Sequence, residues 1–204
     1  MSYATLADLR SNLGGQSGLT PEYVAKMMHD VPRTTVVDRT VFVLQQVAGK
    51  RVLEFGASGA LHDGIVKAAA TAHGVDREST SDGRVEGFDL DDPMQAALPI
   101  SDRPPQIIVC GETLEHLSNP GWFLHRLKAQ FAGIPVVLTV PNAFGKAATG
   151  HINAGKENVN IDHVCWYSYT TLKCLLSRAG YTITAFHWYG GEPYTAEGLI
   201  VVAV

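Results

Sequence analysis

Three short runs, "RVLEF" (51–55), "QIIVC" (106–110) and "PVVLTV" (135–140), are apolar almost without interruption. A strand with one wet face alternates apolar and polar residues, whereas a strand covered on both faces does not. The three runs are therefore predicted as parallel strands in the middle of a sheet flanked by helices. Shorter strand signals are "AHGVD" (72–76), "RVEGFD" (84–89), "YTITAFHW" (181–188) and "GLIVVAV" (198–204). Only "YGGEPYTAE" separates the last two, too little for a helical crossover, so they are expected to pair antiparallel.

Helical signals fall between the strands, the alternation expected of an α/β fold. Thr20, Pro21 and Glu22 read as an N-cap, a first-position proline and a first-turn acid. The run from about Thr35 to Val47 is apolar and stops at Gly49, and "LHDGIVKAAA" follows the first strong strand. In "NPGWFLHRLKAQF" the spacing puts Trp122, Phe123, Leu127 and Phe131 on one helical face. In "YTTLKCLLSRAGY" it does the same for Leu172, Leu175, Leu176 and Ala179, with Gly180 as the stop. The seven strand signals and the helices between them predict an α/β layered, mostly parallel sheet with an antiparallel C-terminal hairpin. The Gly/Ala/Asn-rich connection 143–160 is long enough to be a lid or to hold local structure.

A formal charge of −4 argues against a protein that coats nucleic acid, which requires Lys and Arg to neutralise phosphates. Three cysteines, Cys110, Cys165 and Cys174, without C-x-x-C spacing, give neither a disulfide framework nor a zinc knuckle. The first residues lack the apolar core of a signal peptide, and no run reaches the roughly 18 apolar residues of a membrane span. A cytoplasmic location and no membrane partner are the expectations.

The stretch "EFGASGAL" ends the first strong strand, where open α/β sheets bind ligands. Gly56 and Gly59 let the backbone bend there, and the next helix offers unpaired N–H groups. Asp76 ends the second strand 20 positions after Gly56, and Asp89 ends the third in "FDLDD". A carboxylate at the first of these tips can accept from both ribose hydroxyls, and the second lies where an adenine edge would be. Each acid alone reads as a turn or cap; the ordered set reads as a nucleoside site. The first motif lacks G-x-G-x-x-G spacing, which argues against a nicotinamide dehydrogenase.

With these motifs the chain resembles the class I S-adenosylmethionine-dependent methyltransferases, from about Lys50 to Val204. "VLEFGASG", "GVDRE", "GFDLDD", "PQIIVCGETLEHLSNPGWFL", "VVLTVPN" and "DHVCWYSYTTLKCLLSRAGY" match its segments in order. Two of the usual first-motif glycines are Ser58 and Ala60, and the usual acid before the fourth strand is replaced around Pro105-Gln106. The resemblance implies a Rossmann-like, seven-stranded, mostly parallel sheet with helices on both faces, residues 1–49 as a helical cap and 50–204 as the methyltransferase domain, and S-adenosyl-L-methionine as cofactor. Glu54, Gly56, Ala57 and Gly59 would hold its methionine part, with Gly111 close by, Asp76 the ribose, and Asp89 with Leu90 the adenine.

The acceptor side is expected at "CGETLEHL". If 112–117 form a helical turn, Glu112, Glu115 and His116 share a face. Two carboxylates and an imidazole can hold a divalent cation such as Mg, Mn or Zn, with His163 as a fourth ligand. This pattern resembles that of small-RNA 2′-O-methyltransferases and of ubiquinone-type O-methyltransferases. Without a metal, Glu115 would brace the turn and His116 would line the acceptor pocket or act as a base. The resemblance thus implies O-methylation of a small-molecule hydroxyl, with or without metal. N- or C-methylation, an RNA acceptor and a non-catalytic cofactor-binding protein remain open, as does the oligomeric state.

Further candidates are His62, Asp63 and Asn142 near the strand tips and His151 in the long connection. Trp166, Tyr167 and Tyr169 read as an aromatic wall or as packing, and Trp188 with Tyr189 as a pocket rim. Trp122 and Phe123 are expected in the core.

Overall fold

The computed structural model describes residue 26 and residues 28–95, 97–100 and 103–204. The expected helix at Thr20 lies outside the described residues. The chain divides into units Met1–Val31 and Pro32–Val204. Residues 32–49, assigned to a cap from sequence, therefore belong to the unit that carries the sheet.

That unit runs β1 (Val36–Val37), α1 (Arg39–Val47), β2 (Arg51–Phe55), α2 (Gly59–Ala68), β3 (Thr71–Asp76), β4 (Val85–Gly87) and β5 (Ile107–Gly111). A 3₁₀ turn (Leu114–His116), α3 (Pro120–Gln130), β6 (Val136–Pro141), α4 (Lys146–Thr149) and a second 3₁₀ turn (Ile152–Ala154) follow. The chain ends with α5 (Tyr169–Arg178), β7 (Ile183–Tyr189) and β8 (Gly198–Ala203). The strands form one sheet in the order β1-β7-β8-β6-β5-β2-β3-β4. All pairings are parallel except those of β8, which runs antiparallel to both β6 and β7. The expected fold class is present, with one strand more than the seven anticipated.

The extra strand is β1. Sequence reading placed a helix from about Thr35, but "TTVV" is β-branched and favours extended backbone. Val36 and Val37 pair with Trp188 and Tyr189. The helix starts only after Asp38, whose Oδ1 accepts the N–H of Val41 at 2.8 Å. The connection 143–160 is locally structured by α4 and the second 3₁₀ turn.

Alternate residues of the central strands face opposite helical layers. Val52, Ile107, Val109, Val137 and Ile200 pack with Val43 and Val47 of α1 and Ile65 of α2. On the other face, Phe55 meets Phe123 of α3 edge-on, with ring centroids 5.4 Å apart. Both faces are covered, which is why these strands read as unbroken apolar runs. The helical-face expectation for α3 needs correction at one position, because Trp122 is 44% exposed while Leu124 and Arg126 are buried.

Helix α5 opens with a capping box. Ser168 Oγ accepts the N–H of Thr171, and Thr171 Oγ1 accepts the N–H of Ser168. Ser168→Ala removes one half of it and should cost about 1 kcal/mol. Urea unfolding should show a lower midpoint with an unchanged slope.

Candidate functional site

A cleft of about 1040 Å³ lies beyond the carboxyl ends of β2 to β5. Gly56, Ala57, Gly59, Asp76, Asp89 and Leu90 all line it, as do Ser58, His62 and Asp63. Sequence reading assigned these positions to several strand tips, and the parallel register brings them together. Glu54 and Gly111 lie outside the cleft's lining residues.

The turn after β2 is held by three hydrogen bonds from two directions. The N–H groups of Gly56 and Ala57 both donate to Val75 O of β3, at 2.9 and 3.1 Å. Thr113 Oγ1 donates to Phe55 O at 3.0 Å. Gly56 has φ +77°, and a Cβ there would overlap Thr113 Oγ1. Ser58, the N-cap of α2, makes no side-chain bond to the helix, so the first-turn N–H groups stay available to a ligand. Beneath the turn, buried Glu54 accepts from His62 Nδ1 at 2.7 Å. Burial raises the Glu54 carboxyl above its ordinary pKa, and His62 opposes that shift.

Asp76 Oδ1 accepts the N–H of Arg77 at 2.6 Å. Asp89 was expected at the tip of the third strand. β4 instead ends at Gly87, Phe88 N–H donates to Asp76 O, and Asp89 opens a turn by accepting the N–H of Asp91. The chain still delivers it to the cleft.

On the other side of the cleft the expected common helical face does not form. Glu112 lies before the 3₁₀ turn with φ +53°. Its Oε1 accepts from Thr139 Oγ1 at 2.9 Å and from the Tyr189 hydroxyl at 2.8 Å, and lies 3.5 Å from Arg39. Glu115, His116 and His163 do come together, each with a ligand atom within 4.8 Å of the others. His116 and His163 meet edge-on at 4.6 Å between ring centroids. Three backbone-directed bonds create this meeting. Val164 and Cys165 N–H donate to Glu115 O, and the Tyr167 hydroxyl donates to Leu114 O.

Glu115 is 1% exposed, and both its carboxylate oxygens are buried without a hydrogen-bond partner among the described residues. Burial, reinforced by nearby Glu112, pushes its carboxyl up to about 8. Burial and His116 together lower His163 below the ordinary imidazole value.

Several candidates have structural roles. Asn142 Nδ2 donates to Tyr194 O and Ala196 O, tying the β7–β8 connection to the end of β6. Tyr167 and Trp188 are buried, and Tyr169 packs on Phe186, so no aromatic wall forms. Trp166 is partly exposed, and His151 is exposed on the long connection. Sequence reading missed Thr113, Asp91 and Arg126. Only Arg126 left a signal, a cation within the apolar stripe of α3.

A methyltransferase domain model matches residues 27–185. The chain belongs to that methyltransferase family. No match was found among curated protein sequences. Among crystal structures, the small RNA methyltransferase HEN1 superposes with a TM-score of 0.64 at 15% identity. The alignment covers 86% of this chain but only 26% of HEN1, so this chain spans about a quarter of that protein. An S-adenosylmethionine-dependent methyltransferase from Mesorhizobium loti gives 0.55 at 14% identity, over 79% of this chain and 95% of that one. A SAM-dependent methyltransferase from Aquifex aeolicus gives 0.55 at 16%, over 91% and 98%. At such identities the likeness concerns the fold. Among the described residues, no helix is long and apolar enough to cross a membrane.

Proposed function

We propose that the protein transfers the methyl group of S-adenosylmethionine to a hydroxyl of a small molecule, with a divalent cation held by Glu115, His116 and His163. The carrying observation is the buried carboxylate of Glu115, flanked by two imidazoles and without a partner on either oxygen among the described residues. A buried polar group without a partner costs about 1–3 kcal/mol, and a cation would satisfy both oxygens. One carboxylate with two imidazoles suits Zn or Mn better than Mg, which prefers oxygen ligands. Glu112, also considered a ligand from sequence, has its Oε1 already engaged by Thr139 and Tyr189.

S-adenosylmethionine supplies an activated methyl on a positive sulfur, and a bound cation lowers the pKa of a coordinated hydroxyl. The remaining work is positional. The turn at Gly56 and the first turn of α2 receive the amino-acid end of the cofactor. Asp76 accepts from the ribose hydroxyls, and the Asp89–Leu90 wall borders the adenine. His116 faces the cleft, where it orients the acceptor and, if no metal binds, takes the hydroxyl proton. Ile161 and Val164 line the same cleft and give it an apolar border.

An RNA acceptor is the second reading. The HEN1 structure bears the name of a small RNA methyltransferase, and a ribose diol offers the same oxygen pair as a catechol. The net charge of −4 favours the small molecule.

Calorimetric titration with MnCl₂, MgCl₂ and ZnCl₂ tests the metal. Wild type should bind one ion, and His116→Ala and His163→Ala should each weaken it by at least about tenfold, as expected for loss of a ligand. Absence of saturable binding by all three ions would remove the metal. Methyl transfer to catechols and to RNA 3′ ends, with and without chelator, then separates the two readings.

A further inference from the structure

The cleft wall made by Phe88, Asp89, Leu90 and Asp91 belongs to a stretch between β4 and β5 whose described residues form neither helix nor strand. Its main-chain groups must therefore find partners elsewhere. Two carbonyls, those of Leu90 and Gln95, accept from Arg126 Nη2 and Nη1, each at 2.6 Å. One turn further along α3, the Gln130 amide pairs with both the N–H and the carbonyl of Leu98, at 2.9 and 2.7 Å. Asp91 accepts the N–H of Ser118 on both carboxylate oxygens, at 3.0 Å.

Arg126 is 5% exposed, and its Nε is buried without a partner among the described residues. Desolvating a guanidinium is costly, and an apolar side chain of similar length would fill such a slot at less cost. Packing alone does not call for arginine here. A planar fork that grips two carbonyls five residues apart does. Leu90 O is one of them, and Leu90 borders the cleft.

We propose that Arg126 is a positioning residue for the nucleoside end of the cofactor. It lies outside the residues that line the cleft. From behind, it fixes the backbone on which Asp89 and Leu90 are presented, and Asp91 carries that placement across to Ser118, two residues after His116. The inference rests on the reading that places the nucleoside between Asp76 and Asp89.

The test compares wild type, Arg126→Met and Arg126→Lys by calorimetry, well below their unfolding midpoints. The probes are S-adenosylhomocysteine and 5′-deoxy-5′-methylthioadenosine, which keeps the nucleoside but lacks the amino-acid part. Arg126→Met should weaken both ligands by the same factor, about tenfold, the scale of a lost charged hydrogen bond. Arg126→Lys, able to reach one carbonyl at a time, should recover part of the loss. Amide exchange should show protection of residues 89–95 by methylthioadenosine in wild type and not in Arg126→Met.

A folded Arg126→Met with unchanged affinities, or one that loses only S-adenosylhomocysteine, overturns the proposal. If that variant does not fold, Arg126→Lys decides, and unchanged methylthioadenosine affinity overturns it. If methylthioadenosine leaves residues 88–91 of the wild type unprotected, the nucleoside placement itself falls, and with it the role of Arg126.

Discussion

Gly56→Ala should fold but bind S-adenosylhomocysteine about a hundredfold more weakly than wild type. Two costs fall on the same atom. At φ +77° an L residue is disfavoured by about 1–2 kcal/mol. The added Cβ would also overlap Thr113 Oγ1, and overpacking costs a further 1–3 kcal/mol or so. Thr113 cannot easily withdraw, because its hydroxyl holds Phe55 O. The turn itself must shift, carrying with it the N–H groups of Gly56 and Ala57 that bond Val75. A loss of about 2.7 kcal/mol corresponds to the hundredfold change. Calorimetry with a circular-dichroism check of folding reads the result. Unchanged affinity would show that the cofactor does not use this turn.

Gly198→Ala should lower the thermal midpoint by roughly 6–12 °C, equivalent to about 3 kcal/mol in a chain of this size. Gly198 opens β8 and pairs with Tyr189 of β7. The Tyr189 ring lies across the place where a Cβ would stand. That ring is anchored by its hydroxyl on Glu112 and lies 5.6 Å from the Arg39 guanidinium. Pushing it aside therefore breaks a bond to Glu112 as well as the packing. Pairing Gly198→Ala with Tyr189→Ala checks the cause. If the ring is the obstacle, the double variant should be no less stable than Tyr189→Ala alone. A midpoint for Gly198→Ala within about 2 °C of wild type would contradict the packing described.

The layered fold was legible because burial on both faces removes polar residues from the middle strands. The hairpin was legible because its connection is too short for a crossover. Gly56 and Asp76 could be aligned because parallel strands all expose the same end, whereas Asp89 reaches the cleft on the turn after β4, not at a strand tip. What escaped was non-periodic. Val36 and Val37 were absorbed into the helix signal that follows them, since two residues carry no period. The face shared by Glu112, Glu115 and His116 was drawn on an assumed helical turn. Glu112 instead takes a left-handed conformation, which no spacing argument reveals. Arg126 and Thr113 act on main-chain carbonyls distant in sequence, and such pairings appear only once the chain is folded. His163 was legible as a neighbour of His116 only through the family pattern.

The sheet has another property, set by its margins. One outermost strand, β1, is two residues long and the other, β4, is three. An edge that short gives a foreign chain almost no ladder to extend. The four central strands, β2, β5, β6 and β8, are paired on both sides and closed to intermolecular β-addition, whereas β1 covers only Trp188 and Tyr189 of β7, and β4 only Gly74, Val75 and Asp76 of β3. Protection of the apolar centre is thus built into the strand order itself, and an insertion that lengthened either outer strand would offer a foreign chain a longer ladder.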